Sequence, residues 1–430
     1  PTCGPSRSAI LTGQPIWRLE EAGNIHSTLP AKFATYTGEL QKAGYKTGYT
    51  GKGWSPGKLA PGGRSENPAG TSYAKRNLQP PFKAIRNTDY AGNFDDFLDA
   101  VEKEAPFCFW LGTSEPHRAY EKGAGKRTGK DPAKVIVPSI FPDNTIVRSD
   151  ILDYYVEVEH FDLMVERAIA SLEKRGHLDN TIVVVTSDHG MPFPRAKASL
   201  YDWGSRVPLA IRWPRGIRNP GRDVKDFVHL SDLAPTFIEA AGADVPSMMT
   251  ASSLMKIFSG QKMNDRDAAY FAMERHDGCR EGGKGYPCRA VRTQDYLYIH
   301  NFEPGRWPSG SPDPRVCARS IPFGEIDTSP TKSFMMERRW EHGIAHLAEL
   351  SFGMRPAEEL YDLKKDPEQL ANVAGLIEYS AIQHARRRQL FDHLKKTHDP
   401  RVVGGKVDWD HYPYYGHIST PGWKVTEKKD

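Results

Sequence analysis

Apolar positions recur every three to four residues over 152–175, where Tyr155, Val158, Phe161, Val165, Ile169 and Leu172 share one face and Gly176 ends the pattern. This spacing predicts a long amphipathic helix. A β-branched run, 181–185, follows without polar alternation, as expected of a central parallel strand. The same two patterns alternate upstream. Residues 34–43 predict a helix that Gly44 terminates, and 46–50 a strand. Asn93 is a candidate cap for a helix carrying Phe94, Phe97, Leu98 and Val101. Residues 107–111 predict a buried strand and 231–241 a further helix. Helices between buried strands predict a doubly wound α/β sheet.

The pattern changes after residue 262. Residues 290–291 and 296–300 predict antiparallel strands around a Gln294-Asp295 turn. A Pro-, Gly- and Arg-rich stretch spans 303–331, then a strand at 359–363 and a helix at 377–396. The expected organisation is an α/β domain over 1–262 and a smaller α+β subdomain with an antiparallel sheet over 263–430.

Composition narrows the function only a little. Lys and Arg number 58 against 54 Asp and Glu, a net charge of +4, too mild to argue for a nucleic-acid partner. No apolar run approaches the roughly eighteen residues of a membrane span. The five cysteines, Cys3, Cys108, Cys279, Cys288 and Cys317, form no Cys-x-x-Cys pair, so a zinc ribbon or dithiol redox site is not expected. Cys108 reads as a core thiol. Cys279 and Cys288 are close enough in sequence to close a small disulfide loop if the protein is exported. The chain opens on Pro1-Thr2-Cys3, which reads as the start of a fragment.

The chemistry concentrates at strand and helix ends. Cys3-Gly4-Pro5-Ser6-Arg7 precedes Leu11-Thr12-Gly13. Read bare, it is a cysteine at a helix start, where the helix dipole favours a thiolate. Lys52 follows the 46–50 strand, His117 and Arg118 follow the 107–111 strand, and Asp188-His189-Gly190 follows the 181–185 strand. In open α/β sheets, ligands bind beyond the carboxyl ends of strands.

The Cys3 to Gly13 string resembles the signature of formylglycine-dependent sulfatases, and 44–52 resembles their second signature. Asp188 to Pro194, Tyr286 to Arg289 and Thr397 to Pro400 resemble the heparan N-sulfatase (N-sulfoglucosamine sulfohydrolase) branch. Leu360-Tyr361-Asp362-Leu363 with Asp366-Pro367 downstream resembles the family's last strand and turn. The resemblance implies an alkaline-phosphatase-like fold with a mixed, mostly parallel central sheet. It implies oxidation of Cys3 to formylglycine by a maturing enzyme, with Arg7 holding the hydrated aldehyde. Lys52 and Lys197 would grip sulfate, with Arg195 competing for the second place. His117 would protonate the leaving group. Asp188 and His189 would ligate one calcium ion, completed by an upstream aspartate pair; Asp95-Asp96 is instead a solvated helix face. Trp54 stands where the family carries a histidine. A sulfated saccharide is the implied substrate, with Arg118, Glu274, Arg275 and His276 as candidate sugar contacts. The resemblance also implies export to a periplasmic, extracellular or lysosomal space, and leaves a homodimer open. Two rivals stand beside this reading: a phosphate mono- or diester hydrolase of the same superfamily, and a non-catalytic piece that only binds sulfated glycans.

Overall fold

The computed structural model describes residues 1–102, 105–263 and 266–427. Strand β1 (Lys46–Gly51) pairs in parallel with β2 (Thr71–Ser72) on one side and β3 (Phe107–Gly112) on the other. Strand β4 (Val183–Thr186) pairs antiparallel with β5 (Leu209–Arg212). Strands β6 (Ala268–Met273), β7 (Cys288–Thr293), β8 (Tyr296–Asn301) and β9 (Glu358–Asp362) form a four-stranded antiparallel sheet in chain order. With helices packed on the strands, the molecule is mixed α/β.

The elements follow the apolar periodicity, and their starts follow the caps. The long helix runs Thr145–Lys174, beginning upstream of the apolar stripe because the Asn144 side chain accepts from the amides of Ile146 at 2.9 Å and Val147 at 3.1 Å. The Tyr90–Asp99 helix is likewise capped by Asp89, whose carboxylate accepts from Gly92 N at 2.9 Å. Asn93 is therefore not the cap. It lies inside the helix, and its amide clasps the backbone of Arg76. The helix expected over 231–241 begins as a 3-10 turn, Leu230–Asp232, and continues as Leu233–Ala240. Phe94, Phe97 and Leu98 meet Leu172 of the long helix, with Phe107 and Phe109 of β3 and Val183 of β4 packed against them. One apolar layer thus ties both helices to both strand groups. Asp95 and Asp96 face outward and pair with Arg175 and Arg76, as a solvated face does.

Among the described residues β4 hydrogen-bonds only to β5, so the expected parallel neighbour is not there. A cavity of about 1030 Å³ separates β3 from β4. Phe109, Trp110 and Val184 line its walls, and Lys52, His117 and Asp188 border it too. Cys108 lies half-buried on this wall, not in the closed core.

The two parallel strands end side by side, Gly51 opposite Gly112. Gly51 has φ of +65°, and a Cβ there would fall 2.2 Å from the Gly112 carbonyl oxygen. Only glycine permits that approach. It releases Lys52 and the 113–118 loop at the same edge of the sheet.

Candidate active site

Cys3 is the first residue of the Cys3–Thr12 helix and is 2% exposed. The helix N-terminus leaves unpaired amides there, which favour an anion. Gly13 ends the helix in the left-handed conformation, and its amide donates to Ala9 O at 3.0 Å. The Leu11-Thr12-Gly13 part of the string is thus a helix stop.

Arg7 lies one turn after Cys3 and organises two loops. Its Nε donates to Asp188 Oδ2 at 2.7 Å. Its Nη1 donates to Gly53 O at 2.8 Å and to Lys52 O. The Lys52 ammonium is 3.9 Å from the same Asp188 oxygen. His189 Nδ1 is 2.8 Å from Gly190 O, which only a donor can face, so Nδ1 carries the proton. Its Nε2 points at Cys3 Sγ at 3.1 Å and lies 3.5 Å from Asp188 Oδ1. Burial opposes ionisation of the Cys3 thiol, but Lys52 and His189 pull it well below the usual thiol range. Burial likewise opposes the Asp188 carboxylate, while His189, Arg7 and Lys52 hold it well below the usual carboxylate range.

Lys197 approaches from the other side. It is 6% exposed, donates to Asp327 Oδ2 at 2.7 Å and lies 3.4 Å from His117 Nε2. Burial works against its charge, but Asp327 and Cys3 raise its pKa above the ordinary lysine value. Arg195 and Ala198, on either side, sit at φ +57° and +60°. Non-glycine residues rarely adopt that conformation, and here it flanks the ammonium turned toward Cys3. Arg195 is not the competing grip. Its guanidinium donates to Leu350 O and Gln369 O and stacks 3.7 Å from the Tyr201 ring. His117 Nδ1 faces Arg118 O at 2.6 Å, so the neutral ring offers Nε2 as an acceptor to Lys197.

Cys3, Arg7, Lys52, His117, Asp188, His189 and Lys197 therefore come together. Arg118, Glu274 and Arg275 do not join them. Arg118 makes a two-pronged pair with Asp150 at 2.8 and 2.9 Å, between the rings of Tyr120 and Phe193. Glu274 is consumed by Arg289 and Arg401, at 2.7 and 2.6 Å. Arg275 is 1% exposed and donates to the carbonyls of Tyr412 and Pro413. His276 is held by Glu325 at 2.6 Å, and Lys197 and Asp327 both act on its charge. Trp54 is core: its Nε1 donates to Ser8 Oγ at 2.8 Å and it is 2% exposed. Sequence reasoning missed Asp327, which lies in the Pro- and Gly-rich stretch with no motif around it.

Cys3, Asp188 and His189 bring three donor atoms within 4.8 Å of one another. Calcium takes about six to eight oxygen ligands. Asp188 offers the only carboxylate of the three, and Arg7 and Lys52 already face it. These residues alone do not fit a calcium shell.

A cysteine at a helix N-terminus, ringed by cations at the carboxyl ends of strands, is a site for an anionic group. The sulfatase family's sequence profile matches residues 1–243, and that of the C-terminal part of N-sulphoglucosamine sulphohydrolase matches 192–307. The chain belongs to the sulfatase family, hydrolases of sulfate esters and sulfamates, which use formylglycine and a metal ion. It is 25% identical over 406 residues to an ulvan-active sulfatase of Formosa agariphila, covering 92% of this chain and 71% of that protein. It is 25% identical over 446 residues to the N-sulphoglucosamine sulphohydrolase of Homo sapiens, covering 93% and 82%. A solved structure in complex with its substrate D-glucosamine-2-N,6-O-disulfate superposes with a TM-score of 0.64 at 20% identity, covering 94% of this chain and 90% of that one. The fold is alkaline-phosphatase-like. Among the described residues no helix is long and apolar enough to cross a membrane.

Proposed function

We propose that this sulfatase cleaves sulfate from a sulfated glycan through a formylglycine derived from Cys3. The observation that carries the reading is the gathering of basic side chains about Cys3: His189 Nε2 is 3.1 Å from the sulfur, Lys52 lies 3.9 Å from Asp188 beside it, and Lys197 lies 3.4 Å from His117. A thiol alone needs no such cage, whereas a sulfuryl group carries its negative charge on several oxygens at once.

The chemistry follows from the oxidised side chain. A hydrated aldehyde places two hydroxyls on one carbon. One hydroxyl oxygen attacks sulfur and releases its proton to solvent, the bond from sulfur to the glycan oxygen or nitrogen breaks, and the leaving atom takes a proton from His117. The second hydroxyl then loses its proton, the carbonyl reforms and sulfate departs. Lys52 and Lys197 hold the sulfuryl oxygens. Arg7 fixes the Lys52 loop and Asp188. His117 protonates the leaving atom as imidazolium, with its proton taken from solvent, while Lys197 stays charged on the sulfuryl oxygens. A calcium ion beside Asp188 and His189 would add charge stabilisation with oxygens from further donors.

The domain division belongs to the same reading. Residues 1–262 carry the nucleophile and the sulfate grip. Residues 263–430 supply Asp327 to that grip, and Glu325 of the same stretch holds the buried His276. Export and maturation by a formylglycine-generating enzyme complete it.

The test is protein co-produced with a maturing enzyme. The peptide containing Cys3 should lose mass as thiol becomes aldehyde, and sulfate should be released from sulfated saccharides. Matched phosphate esters should turn over far more slowly. Full sulfate release by Cys3→Ala would sink the mechanism.

A further inference from the structure

Two buried cysteines outside the site meet each other. Cys279 is 2% exposed and Cys317 is 0% exposed. Ala318 N donates to Gly278 O at 2.7 Å, and Ser311 N donates to Cys279 O at the same distance. These bonds lay the strand of chain before Cys279 against the one after Cys317. Cys317 Sγ donates to Cys279 O at 3.4 Å, and the two thiols also contact each other. A Cβ placed on Gly324 would lie 2.5 Å from Cys279 Sγ and 3.3 Å from Cys317 Sγ. Both sulfurs therefore flank one point, in a spot where only a glycine leaves room. All five cysteines are thiols in this structure. Cys288, the partner suggested by sequence spacing, lies elsewhere, packed with Tyr286, Ala290 and Leu297.

We propose that Cys279 and Cys317 are a disulfide pair, closed under oxidising conditions, that staples the irregular 309–327 segment to 276–280. The oxidant is a small-molecule disulfide such as oxidised glutathione, or a protein disulfide of the same chemistry. One cysteine thiolate attacks the oxidant's S–S bond, forms a mixed disulfide and expels one thiolate. The second cysteine thiolate attacks that mixed disulfide and expels the other thiolate. Two protein thiols are oxidised, and the oxidant is reduced to two thiols. The hydrogen bond from Cys279 holds the Cys317 thiol below its usual value, and burial holds Cys279 above it. Cys317 is thus the better first attacker. Both sulfurs are covered in the folded chain, so closure takes place while the segment is still open during folding.

The segment gives the bridge a purpose. Over 309–327 the only regular structure is one short 3-10 turn, Pro314–Val316. It nevertheless presents two residues to the interior. Glu325 accepts from Arg280 and Asp277 N and holds His276. Asp327 holds Lys197. Cross-linking such a segment restricts the unfolded chain and fixes what the segment carries. The pairing itself does not rest on the sulfatase reading.

The experiment compares protein made in an oxidising compartment with protein made in a reducing one. Both are alkylated before digestion with trypsin. Cleavage after Arg275, Arg280, Lys284, Arg289, Arg315 and Arg319 separates the three cysteines concerned onto three peptides. The expected product is peptide 276–280 linked to 316–319, lighter than the two thiol peptides by two hydrogens and released by reductant. Reduction should lower Tm by about 5 °C and leave Cys279→Ser/Cys317→Ser unchanged. Alkylated thiols on both peptides from folded, oxidised protein would overturn the proposal, as would a link to peptide 285–289. If the oxidising compartment yields no folded protein, purified reduced protein is equilibrated with oxidised glutathione in mild denaturant, and the same peptides decide.

Discussion

Lys197 Nζ lies 2.7 Å from Asp327 Oδ2, so the lysine proposed as the second sulfate grip is held by a residue 130 positions further along the chain. Asp327 keeps a buried ammonium charged and aimed. Burial opposes its own ionisation, but Lys197 holds its carboxyl far below the usual range. That contribution is present at neutral pH and is lost only as pH falls through the depressed value. Asp327→Asn should therefore cost about 3 kcal/mol of stability, because it leaves a buried charge unpaired. It should also lower kcat/KM by about 100-fold. Thermal denaturation and steady-state kinetics check both, and Asp327→Glu should recover part of each. Unchanged kcat/KM in Asp327→Asn would remove this residue from the grip.

His117 sets the expected pH profile. Burial, then the neighbouring Lys197, lowers its pKa below the ordinary 6.5. A histidine with a lowered pKa is charged only below that depressed value. The acid form that protonates a leaving group is then lost as pH rises through it. For a substrate with a poor leaving group, kcat/KM should peak on the acid side of 6.5 and fall about tenfold per unit above. An aryl sulfate, whose leaving group needs no proton, should show no such limb. His117→Gln should abolish the limb while changing aryl sulfate turnover little. A profile identical for both substrates would assign the proton to another group.

The structure also separates what sequence could and could not reveal. Cys3, Lys52, His117 and Asp188 each lie within a few residues of a strand or helix end, and local pattern finds such ends. The partners of those residues come from distant chain and leave no local trace. Asp327 sits in an irregular stretch whose composition reads as a plain loop. Glu274 and Arg275 look like polar contacts in the sequence, but their partners Arg289, Arg401, Tyr412 and Pro413 are 15 or more positions away in every case. Strand pairing was also beyond reach. The 181–185 run has the β-branched character of a fully buried strand, yet its observed neighbour, β5, runs antiparallel. Periodicity reports burial and not which edge is paired.

Arg118 divides a structural role from a binding one. Its side chain is 5% exposed and that of Asp150 is 1% exposed. Thr331 Oγ1 donates to the same carboxylate at 2.6 Å. Breaking such a buried pair costs several kcal/mol, since the remaining charge stays in the interior. Arg118→Ala should lower stability by about 3 kcal/mol in denaturant unfolding. Unaltered stability with a raised KM would instead place Arg118 among the sugar contacts.

Substrate choice can be argued from the leaving atom. A sulfamate loses an amine and a sulfate ester loses an alcohol. An amide anion is far more basic than an alkoxide, so cleavage of N–S depends more heavily on a delivered proton. The 192–307 match is to the C-terminal part of N-sulphoglucosamine sulphohydrolase, which makes an N-sulfated glucosamine the first substrate to test. The ulvan-active relative makes a sulfate-ester saccharide the second substrate to test. Matured enzyme should therefore be assayed on a panel of short saccharides, with heparan-type N-sulfated, heparan-type O-sulfated and algal O-sulfated members. The expected result is sulfate release from the N-sulfated member first, with His117→Gln losing more activity there than on any O-sulfated member. Release only from O-sulfated sugars discards the narrower assignment and leaves the sulfatase family untouched, since pocket walls and sulfate grip are separate features. Release from none of them, by enzyme whose Cys3 is shown to be converted, overturns the glycan reading.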